Sequence, residues 1–506
     1  MHKKDCNFLQ SFFDYKEDTY MALINISQLT FSYDSSFEDI FHNVSFQIDT
    51  NWKLGFIGRN GRGKTTFLKL LMKEYEYKGT ISSDVEFDYF PFSIEDDLTI
   101  NIIEKMLPNI EHWQIYKEFS LLDIPDESLY QMFYTLSKGE QTKIMLAILF
   151  LKEHHFLLID EPTNHLDMKG RQIVSDYLNK KSGFILISHD RTFLDGCIDH
   201  VLSINKANIE VQNGNYSTWK QNKDYQDHHE LDENHRLKKE IKRLNAAAKR
   251  TSQWSDAIES TKIGQHAADR GFIGHKAAKM MKRSKSIEKR RNDQLKEKER
   301  LLKNIDEAEA LALHPLTFHS NPFIYVDHLD IYYDRPILQN ISFNVNNGDR
   351  IALIGKNGCG KSSIIKLILG QDIPHSGTVV VKNQLKISYV SQDTNYLKGN
   401  LKDYAIEHGI DESLFKAILR KLDFSRLQFE KNIEEFSAGQ KKKVLLASSL
   451  CEQAHVYIWD EPLNYIDVLS RIQIENLILD YKPTMIFVEH DAAFVDKIAT
   501  KRIKLN

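Results

Sequence analysis

Two short stretches of the chain place a lysine and a hydroxyl side chain directly after closely spaced glycines. The first, "GRNGRGKT", begins at Gly58, and the second, "GKNGCGKS", begins at Gly355. Glycines at this spacing let backbone N–H groups close around phosphate oxygens, while the lysine reaches the β- and γ-phosphates and the hydroxyl ligates Mg²⁺. Each stretch follows an apolar strand pattern and precedes a helical pattern, whose N-terminus adds the positive end of its dipole. The sequence therefore predicts two nucleotide-phosphate sites, each with Mg²⁺.

The two loops contribute the nucleotide-binding residues. They are Gly58, Arg59, Asn60, Gly61, Arg62, Gly63, Lys64, Thr65 and Thr66 in the first loop, and Gly355, Lys356, Asn357, Gly358, Cys359, Gly360, Lys361, Ser362 and Ser363 in the second. Lys64 and Lys361 are the phosphate-reaching lysines, and Thr65 and Ser362 are the predicted Mg²⁺ ligands.

An acidic pair ends an apolar strand pattern downstream of each loop. The two pairs are Asp160-Glu161 and Asp460-Glu461. In such a pair the aspartate holds the Mg²⁺ shell, and the glutamate positions or deprotonates the attacking water. His189 and His490 each follow a further apolar strand pattern and precede an aspartate, so both are predicted to sense the γ-phosphate. These residue types together predict hydrolysis of a nucleoside triphosphate.

The elements that must position these residues come in two copies. Asp160 and Asp460 lie 300 positions apart, and the other motifs recur in the same order at nearly the same offset. Each copy alternates short β-rich runs with helical patterns, which is typical of an α/β domain with helices on a largely parallel sheet. We predict one such domain over residues 22–215 and a second over residues 322–506. Residues 1–21 are predicted to be a tail or an upstream extension, with Met21 as an alternative start.

The composition and the hydropathy pattern argue against a membrane-spanning or secreted protein. Apolar residues make up 42% and charged residues 27% of the 506 residues, and the formal net charge is −4. No apolar run reaches the roughly 18 residues needed to span a bilayer, and the N-terminus lacks the apolar stretch of a secretory signal. Cys6, Cys197, Cys359 and Cys451 are widely scattered, as is typical of unpaired thiols in a reducing cytosol. A cytoplasmic location is therefore predicted.

A further repeated segment lies between each loop and its acidic pair. It reads "LSKGEQ" from Leu136 and "FSAGQK" from Phe436. This segment resembles the signature of the ATP-binding cassette (ABC) ATPases, and the resemblance covers almost the whole chain after Met21. It implies that the two domains pair head to tail and hold two ATP molecules between them. A single chain would then supply both halves of both sites.

The resemblance also assigns residues to each ATP. The implied caps are Ser137 and Gly139 over the nucleotide held by Lys361, and Ser437 and Gly439 over the nucleotide held by Lys64. Tyr33 and Tyr333 match the position at which the family stacks an aromatic ring on adenine. The family usually also has a glutamine that touches Mg²⁺ and the water, which Gln392 supplies in "YVSQD". The matching stretch "YFPFS" has Phe92, which cannot ligate a metal, so the two sites are predicted to hydrolyse ATP at different rates.

The segment between the two domains, residues 216–321, has a different character. Two stretches rich in Lys, Glu and Leu show helical periodicity and are separated by a Gly-containing region, which predicts an antiparallel helical hairpin. Residues 233–303 contain 21 Lys and Arg against 9 Asp and Glu; because the whole chain carries −4, the remainder carries −16. A basic arm on an acidic body predicts contact with nucleic-acid phosphates. The residues assigned to this contact are Lys249, Arg250, Trp254, Lys279, Lys282, Arg283 and Lys285.

Duplicated cassettes joined by a basic helical linker resemble the ABC-F family of ribosome-associated ATPases. The strings "TNWKLGFIGRNGRGKTT", "WDEPLNYID" and "PTMIFVEHD" look like its antibiotic-resistance branch, specifically the Lsa-type proteins. The resemblance implies a functional monomer whose arm enters the E site of the bacterial 70S ribosome, contacts 23S rRNA and approaches P-site tRNA. It further implies protection against lincosamides, pleuromutilins and streptogramin A, driven by ATP with Mg²⁺.

Three other classes of protein share some of these motifs. A housekeeping ABC-F translation factor would have identical ATP chemistry and differ only at the tip of the arm. A chromosome or DNA-repair ATPase would have a far longer coiled coil, commonly inserted within one cassette. The ATPase subunit of a transporter would have a membrane partner, against which the fused cassettes and the basic arm argue.

Overall fold

The computed structural model describes five stretches of the first half of the chain, five positions of the segment that follows, and four stretches of the second half. They are residues 22–33, 39–59, 61–152, 154–204 and 209–226, then residues 229, 232, 236, 239 and 242, and then residues 312–333, 336–422, 424 and 426–505. The chain divides into two compact units, of which residues 220–308 form one and the rest of the chain forms the other. Both copies of the repeat belong to the latter unit, and we call them the first and the second cassette.

The first cassette contains nine strands and six α-helices among its described residues. The strands are β1 Leu23–Phe31, β2 Phe41–Asp49, β3 Lys53–Ile57, β4 Lys78–Ser82, β5 Glu86–Phe90, β6 His155–Asp160, β7 Phe184–Ile187, β8 His200–Ile204 and β9 Ile209–Asn213. The helices are α1 Lys64–Leu71, α2 Thr99–Met106, α3 His112–Leu121, α4 Lys138–Phe150, α5 Met168–Asn179 and α6 Arg191–Cys197. Short 3₁₀ turns cover Asp126–Tyr130 and Phe133–Thr135.

The described part of the second cassette repeats this order. Its strands are β10 Ile324–Tyr332, β11 Pro336–Val345, β12 Arg350–Ile354, β13 His375–Val381, β14 Ile387–Val390, β15 Val456–Asp460, β16 Met485–Val488 and β17 Lys501–Lys504. Its helices are α7 Lys361–Ile368, α8 Leu401–Glu407, α9 Glu412–Lys421, α10 Ala438–Cys451, α11 Val468–Tyr481 and α12 Ala492–Ile498. Short 3₁₀ turns cover Arg426–Glu430 and Ile433–Glu435.

Each cassette combines a main sheet with a small antiparallel sheet. The main sheet of the first cassette has the order β5-β6-β7-β3-β8-β9, in which β9 alone runs antiparallel to its neighbour. The main sheet of the second has the order β14-β15-β16-β12-β17 and is parallel throughout. The small sheets have the orders β2-β1-β4 and β11-β10-β13. The predicted pair of α/β domains with largely parallel sheets is confirmed.

This strand order brings the predicted chemistry to one edge of each sheet. In the first cassette β7 lies between β6 and β3, so the acidic pair, the histidine and the phosphate loop all follow the carboxyl ends of adjacent strands. In the second cassette β16 lies between β15 and β12 in the same way. Parallel α/β sheets bind ligands outside the carboxyl ends of their strands. The strand order therefore brings the residues of each candidate site to one edge of the sheet.

Each main sheet is buried on both faces. In the first cassette one face packs against the small sheet and α1, through residues such as Phe56, Phe67 and Leu158. The other face packs against the later helices, with Ile159 and Leu186 among the buried residues. The second cassette has the same two cores. Strands buried on both faces account for the continuous apolar runs of the sequence, such as "FLLI" and "VYIW".

The helix that follows the first cassette covers residues 216–226, and the described positions 229, 232, 236, 239 and 242 are helical too. The seven residues assigned to nucleic-acid contact, and the return helix of the predicted hairpin, lie outside the described residues. In the part of the chain that the structure covers, no helix is both long and apolar enough to cross a bilayer. Cys197, Cys359 and Cys451 are free thiols.

A buried hydrogen bond to a carboxylate joins two helices of the first cassette. We expect its removal to lower the stability of the protein measurably. Tyr177, 1% exposed, donates its hydroxyl proton to Glu118, which also pairs with Lys181 at 2.8 Å. Tyr177→Phe removes one donor from a buried carboxylate, so we expect the free energy of unfolding to fall by about 1–3 kcal/mol. The urea midpoint measures this change. Tyr130→Phe, at a 64% exposed surface position, is the control, and equal shifts in the two variants would contradict the prediction.

Candidate functional site

The first phosphate loop lies between β3 and α1 and holds its lysine in place. Gly63 has φ +90°, and a Cβ there would lie 2.5 Å from Ile40 Cγ2, so only glycine fits this turn. Lys64 is 7% exposed, and its Nζ donates to the carbonyl oxygens of Gly58 at 2.6 Å and Arg59 at 3.3 Å. Burial lowers the pKa of Lys64. The ammonium group is thus held inside the curve of the loop, where phosphate oxygens would meet it. We call this site, built on Lys64, site I.

The second phosphate loop, between β12 and α7, has the same arrangement. Gly360 has φ +95° and precedes the helix. Lys361 is 7% exposed, and its Nζ donates to the carbonyl oxygens of Gly355 and Lys356, both at 2.8 Å. We call this site, built on Lys361, site II. The structure therefore places both predicted lysines identically in their loops.

The aspartate of each acidic pair faces the hydroxyl residue of its own loop. Thr65 Oγ1 donates to Asp160 Oδ2 at 2.8 Å, and Tyr89 donates its hydroxyl proton to the same oxygen at 3.0 Å. In site II Asp460 is 2% exposed and Ser362 hydrogen-bonds to it. No described residue hydrogen-bonds to its buried Oδ1. Burial raises the pKa of both aspartates. An orphaned carboxylate oxygen beside a hydroxyl is a donor set that fits Mg²⁺.

Within the described residues, no group of three or more His, Cys, Asp or Glu side chains could hold a metal ion. This agrees with the chemistry of Mg²⁺ in nucleotide sites, where one or two protein oxygens act together with substrate phosphates and water. Thr65 with Asp160, and Ser362 with Asp460, are therefore the residues that would hold Mg²⁺. The bound ion would neutralise charge on the β- and γ-phosphates.

The glutamate of site I is largely buried, with a side chain that is 17% exposed. Glu161 Oε1 lies 3.3 Å from His189 Nε2 and has no hydrogen-bond partner within the described part of the chain. Burial, followed by the charge of Asp160, raises the pKa of Glu161 to about 8. Burial, followed by the charge of Lys64, lowers the pKa of His189 well below its ordinary value. The structure thus brings Glu161, His189 and Lys64 together, as the sequence predicts.

The glutamate of site II is held by two amides. Gln392 Nε2 and Asn464 Nδ2 donate to Glu461 Oε2 at 2.8 and 2.7 Å. His490 Nε2 lies 3.5 Å from the other carboxylate oxygen. Burial raises the pKa of Glu461, but His490 and Gln392 outweigh that effect and hold the pKa below its ordinary value. The two glutamates occupy equivalent positions, yet their surroundings shift their pKa values in opposite directions.

The two sites have different residues at the position where the family usually has a glutamine. Gln392 turns towards Glu461. Phe92, at the matching position, packs against the apolar core of the first cassette. An aromatic ring neither donates to a carboxylate nor orients water. The departure noted in the sequence therefore has a structural counterpart, because site I lacks the amide that fixes the glutamate in site II.

Site I opens into a cavity of about 740 Å³ whose walls come from both cassettes. The first cassette supplies Gly61, Arg62, Lys64, Thr65, Asp160, Glu161, Ile187 and His189. The second supplies Arg420, Phe424, Gln428, Ser437, Ala438, Gly439, Gln440, Lys443 and Tyr465. The predicted caps Ser437 and Gly439 thus line the same cavity as Lys64, which is the head-to-tail arrangement that the resemblance implies.

Site II opens into a smaller cavity of about 300 Å³, again between the cassettes. The second cassette supplies Ile337, Asn357, Gly358, Gly360, Lys361, Ser362, Ser363, Gln392, Glu461 and His490, and the first supplies Lys138, Asn164, His165 and Leu166. Of the described signature residues of the first cassette, Lys138 lines this cavity, whereas Ser137 and Gly139 do not. Ser137 caps α4, accepting from the backbone N–H of Glu140 at 3.3 Å, just as Ser437 caps α10 and accepts from Gln440 at 3.3 Å. The capping role of Ser137 and Gly139 over ATP stays a prediction.

The predicted adenine-stacking tyrosines lie beside their loops. Tyr33 is 37% exposed and its hydroxyl lies 2.8 Å from Thr66 Oγ1. Tyr333 is 51% exposed and its hydroxyl lies 3.1 Å from Ser363 Oγ. Exposed rings anchored at the start of the loop helix are available for stacking. Asn60, also assigned to ATP, lies outside the described residues.

Sequence reasoning missed several residues of both sites. Tyr465 and His165 follow the acidic pair of one cassette and line the cavity of the other. The repeated strings "TNHLD" and "LNYID" could have pointed to them. Arg420 reaches site I from a helix with no repeated motif, and Tyr89 reaches Asp160 from a strand. These last two residues are found only from the fold.

A comparison with protein families agrees with this geometry. The family model described as "ABC transporter" matches residues 41–164 and again residues 338–464. Those two ranges contain both phosphate loops, both signature segments and both acidic pairs. The chain therefore carries two tandem ATPase domains of the ABC type, and it is an ATPase.

Several curated bacterial proteins are similar along most of their length. ATP-binding protein Uup of Buchnera aphidicola subsp. Acyrthosiphon pisum is 28% identical over 505 residues, covering 95% of this chain and 80% of that protein. Ribosome protection protein VmlR of Bacillus subtilis is 28% identical over 501 residues, covering 94% and 85%. Energy-dependent translational throttle protein EttA of Haemophilus influenzae is 25% identical over 517 residues, covering 91% and 88%. The chain is thus similar to proteins of the ABC-F type.

Solved structures share the fold. The archaeal ribosome recycling factor aABCE1, in complex with the ribosomal stalk protein aP1, has a TM-score of 0.60 at 16% identity and covers 94% of this chain and 87% of its own. A structure named RNase-L Inhibitor gives the same TM-score and coverage. At this identity the likeness supports the paired-cassette architecture and nothing finer.

Proposed function

We propose that this chain is a ribosome-binding ATPase of the ABC-F type that protects the ribosome from antibiotics of the peptidyl-transferase centre. The proposal assigns it to the resistance branch, with Lsa-type proteins as the model, and to lincosamides, pleuromutilins and streptogramin A as the drugs. One observation carries it. The relative VmlR is named a ribosome protection protein and aligns with 94% of this chain, so the alignment extends beyond the two ATPase domains.

The charge of the intervening segment supports a nucleic-acid partner. Residues 233–303 carry 21 Lys and Arg against 9 Asp and Glu. Each phosphate that such a segment neutralises releases counterions, which favours binding to RNA. We propose that this arm enters the E site of the bacterial 70S ribosome, contacts 23S rRNA and shifts P-site tRNA. The residues proposed for this contact are Lys249, Arg250, Trp254, Lys279, Lys282, Arg283 and Lys285.

The two ATP sites would drive binding and release. Because each cavity has walls from both cassettes, ATP in the cavities joins the cassettes and stabilises the form that binds the ribosome. Glu161 and Glu461 orient or deprotonate water, and hydrolysis then separates the cassettes. The drug would leave indirectly, through a population shift of the ribosome towards a state that does not bind it. Both halves of both sites come from one chain, so we propose a monomer acting in the cytoplasm on the ribosome.

A second candidate is a translation factor of the same type without a role in resistance. The similarity to EttA, named an energy-dependent translational throttle protein, favours it. The ATP chemistry of the two candidates is identical. They differ only in whether the bound arm changes the drug pocket, and a functional assay separates them.

The test is bacterial cell-free translation inhibited by a lincosamide or a pleuromutilin and titrated with the protein and ATP. We expect restored synthesis with the parent protein and no restoration with the Glu161→Gln/Glu461→Gln double variant. A variant with Lys279, Lys282, Arg283 and Lys285 all changed to glutamate should keep ATPase activity but lose rescue. If the double variant stalls ribosomes and the parent never rescues translation, the translation-factor candidate replaces this proposal. If neither the parent protein nor the double variant changes the rate of translation, both candidate functions are wrong.

A further inference from the structure

A salt bridge joins the two cassettes beside the histidines of both ATP sites. Arg191 is the first residue of α6 and follows His189 by two positions. Its guanidinium crosses to the second cassette, where Nη1 donates to Glu475 Oε2 at 3.3 Å and Nη2 donates to Glu475 Oε1 over a shorter distance. The same Nη2 lies 3.7 Å from Asp491 Oδ2. Asp491 directly follows His490, so Arg191 stands between the histidine loops of site I and site II.

The bridge is buried. The side chains of Glu475 and Asp491 are 0% exposed and that of Arg191 is 14% exposed. Glu475 also pairs with Lys497 at 3.0 Å, and Asp491 pairs with Arg471 at 3.1 Å. Two carboxylates thus face three cations, of which Arg191 alone comes from the first cassette. The phenol group of Tyr216 also interacts electrostatically with this guanidinium.

The repeat of the chain has no second copy of this bridge, because the residues at the equivalent positions are of other types. Glu475 corresponds to Ser175 in the first cassette, and Arg191 corresponds to Ala492 in the second. Lys497 corresponds to Gly196. The reverse bridge therefore lacks its carboxylate, its guanidinium and its supporting ammonium. By contrast, the intracassette pair is kept in both copies, as Arg171 with Asp190 at 2.8 Å and Arg471 with Asp491.

Both ends of the bridge lead directly to an ATP site. Glu475 lies on α11, whose N-cap is Asp467, and Tyr465 just before it lines the cavity of site I. Asp491 adjoins His490, which lines the cavity of site II. A helix and a tight loop are stiff over these few residues. The His189 loop is therefore linked through Arg191 to an element of each site.

We propose that Arg191 is a positioning residue that couples the two ATP sites. In this arrangement γ-phosphate contact at His189 in site I fixes the loop that carries Arg191. The fixed guanidinium then holds Asp491, and with it His490, in the position that hydrolysis at site II requires. Because Ala492 cannot make the reciprocal contact, this route consists of one bridge, which joins the His189 loop of site I to the His490 loop of site II. Its effect on ATP binding at the two sites is reciprocal.

The test compares site II hydrolysis with site I loaded and with site I empty. In Glu161→Gln, site I binds ATP without a catalytic glutamate; in Lys64→Ala, site I loses its phosphate-binding lysine. The ratio of the two single-turnover rates measures what loading of site I does to site II. Couplings through packed networks correspond to roughly 2- to 30-fold changes. We expect the ratio to exceed one with Arg191 present and to fall by a factor in this range in Arg191→Ala.

Control variants separate coupling from mere stability. Lys497→Ala removes a cation from the same Glu475 without breaking the link between cassettes, so the ratio should stay at the parental value. Arg191→Lys keeps the charge and should restore part of the ratio. Should Arg191→Ala fail to fold, Glu475→Gln weakens the same link while keeping an acceptor, and its ratio decides. A parental ratio of one, an unchanged ratio in Arg191→Ala or Glu475→Gln, or an equal loss in Lys497→Ala would overturn the proposal.

Discussion

Replacing Glu461 with glutamine is expected to abolish most ATP turnover, whereas replacing Glu161 is expected to leave much of it. A positioned general base contributes roughly 10²- to 10⁴-fold to a reaction. Glu461 is such a base because Gln392 and Asn464 hold one of its oxygens at 2.8 and 2.7 Å. This leaves the other oxygen on the side of His490, where a water attacking the γ-phosphate would be oriented.

Site I lacks this support. Phe92, at the position that Gln392 occupies in site II, packs against the apolar core. Among the described residues, Glu161 Oε1 has no hydrogen-bond partner. A base whose position is not fixed loses much of its advantage, since small displacements from the reactive geometry cost up to about 10²-fold. We therefore expect hydrolysis at site I to be the slower of the two.

Single-turnover hydrolysis in the two variants measures this difference. Glu161→Gln leaves site II as the active site, and Glu461→Gln leaves site I. We expect the first variant to hydrolyse bound ATP at least roughly tenfold faster than the second. The matched control is Gln392→Ala, which should bring site II down towards the rate of site I. Equal rates of hydrolysis in Glu161→Gln and Glu461→Gln would show that the amide at position 392 does not set the rate.

Gly439→Ala is expected to impair ATP hydrolysis at site I far more than Gly139→Ala impairs it at site II. Both glycines lie in the first turn of the signature helix. A Cβ on Gly439 would lie 2.9 Å from the carbonyl oxygen of Tyr465 and 3.1 Å from its Cβ. A Cβ on Gly139 would lie 3.4 Å from the carbonyl oxygen of His165, which is ordinary contact. The same substitution thus meets different neighbours in the two cassettes.

The clash matters because of what it displaces. Gly439 and Tyr465 both line the cavity of site I. The backbone at Tyr465 cannot retreat cheaply, since Asp467, two residues later, is the N-cap that anchors α11. The signature turn must therefore move away from the nucleotide held by Lys64. A displacement on the order of 1 Å costs roughly 10- to 100-fold in rate. Gly139→Ala should cost less than about threefold, since ordinary contact needs no displacement.

Steady-state ATPase assays of both alanine variants, each in a background with the other site inactivated, check this prediction. Thermal unfolding of the two variants serves as the control, because a clash that only destabilises the fold would lower the melting temperature without a matching loss of rate. Similar rate losses at the two sites would contradict the steric argument. So would a loss at site II that exceeds the loss at site I.

Much of the candidate site could be read from the sequence because its geometry is local. A Gly-rich loop between a strand and a helix has few conformations, so Lys64 and Lys361 lie in their loops as their spacing predicts. The acidic pairs and histidines follow parallel strands, and the carboxyl ends of such strands meet at one edge of a sheet. The duplication itself, with its offset of 300, predicted two cassettes. These features depend on neighbours within a few residues or on the general rules of α/β sheets.

Only the tertiary structure shows which residues of one cassette contact the other. That Tyr465 lines site I and His165 lines site II follows from how two surfaces pack, and no local pattern encodes that packing. The same holds for Arg191, an ordinary helix-starting residue in the sequence, whose partner Glu475 is 284 positions away. The sequence showed that Phe92 differs from Gln392, but only the fold showed the ring packed against the core and the amide hydrogen-bonded to Glu461. Contacts between distant segments depend on the summed packing of whole domains. Residue types and spacing therefore determined the chemistry of each site and marked Phe92 as a difference between them. The assembled cassettes determined which residues each site receives from the other cassette.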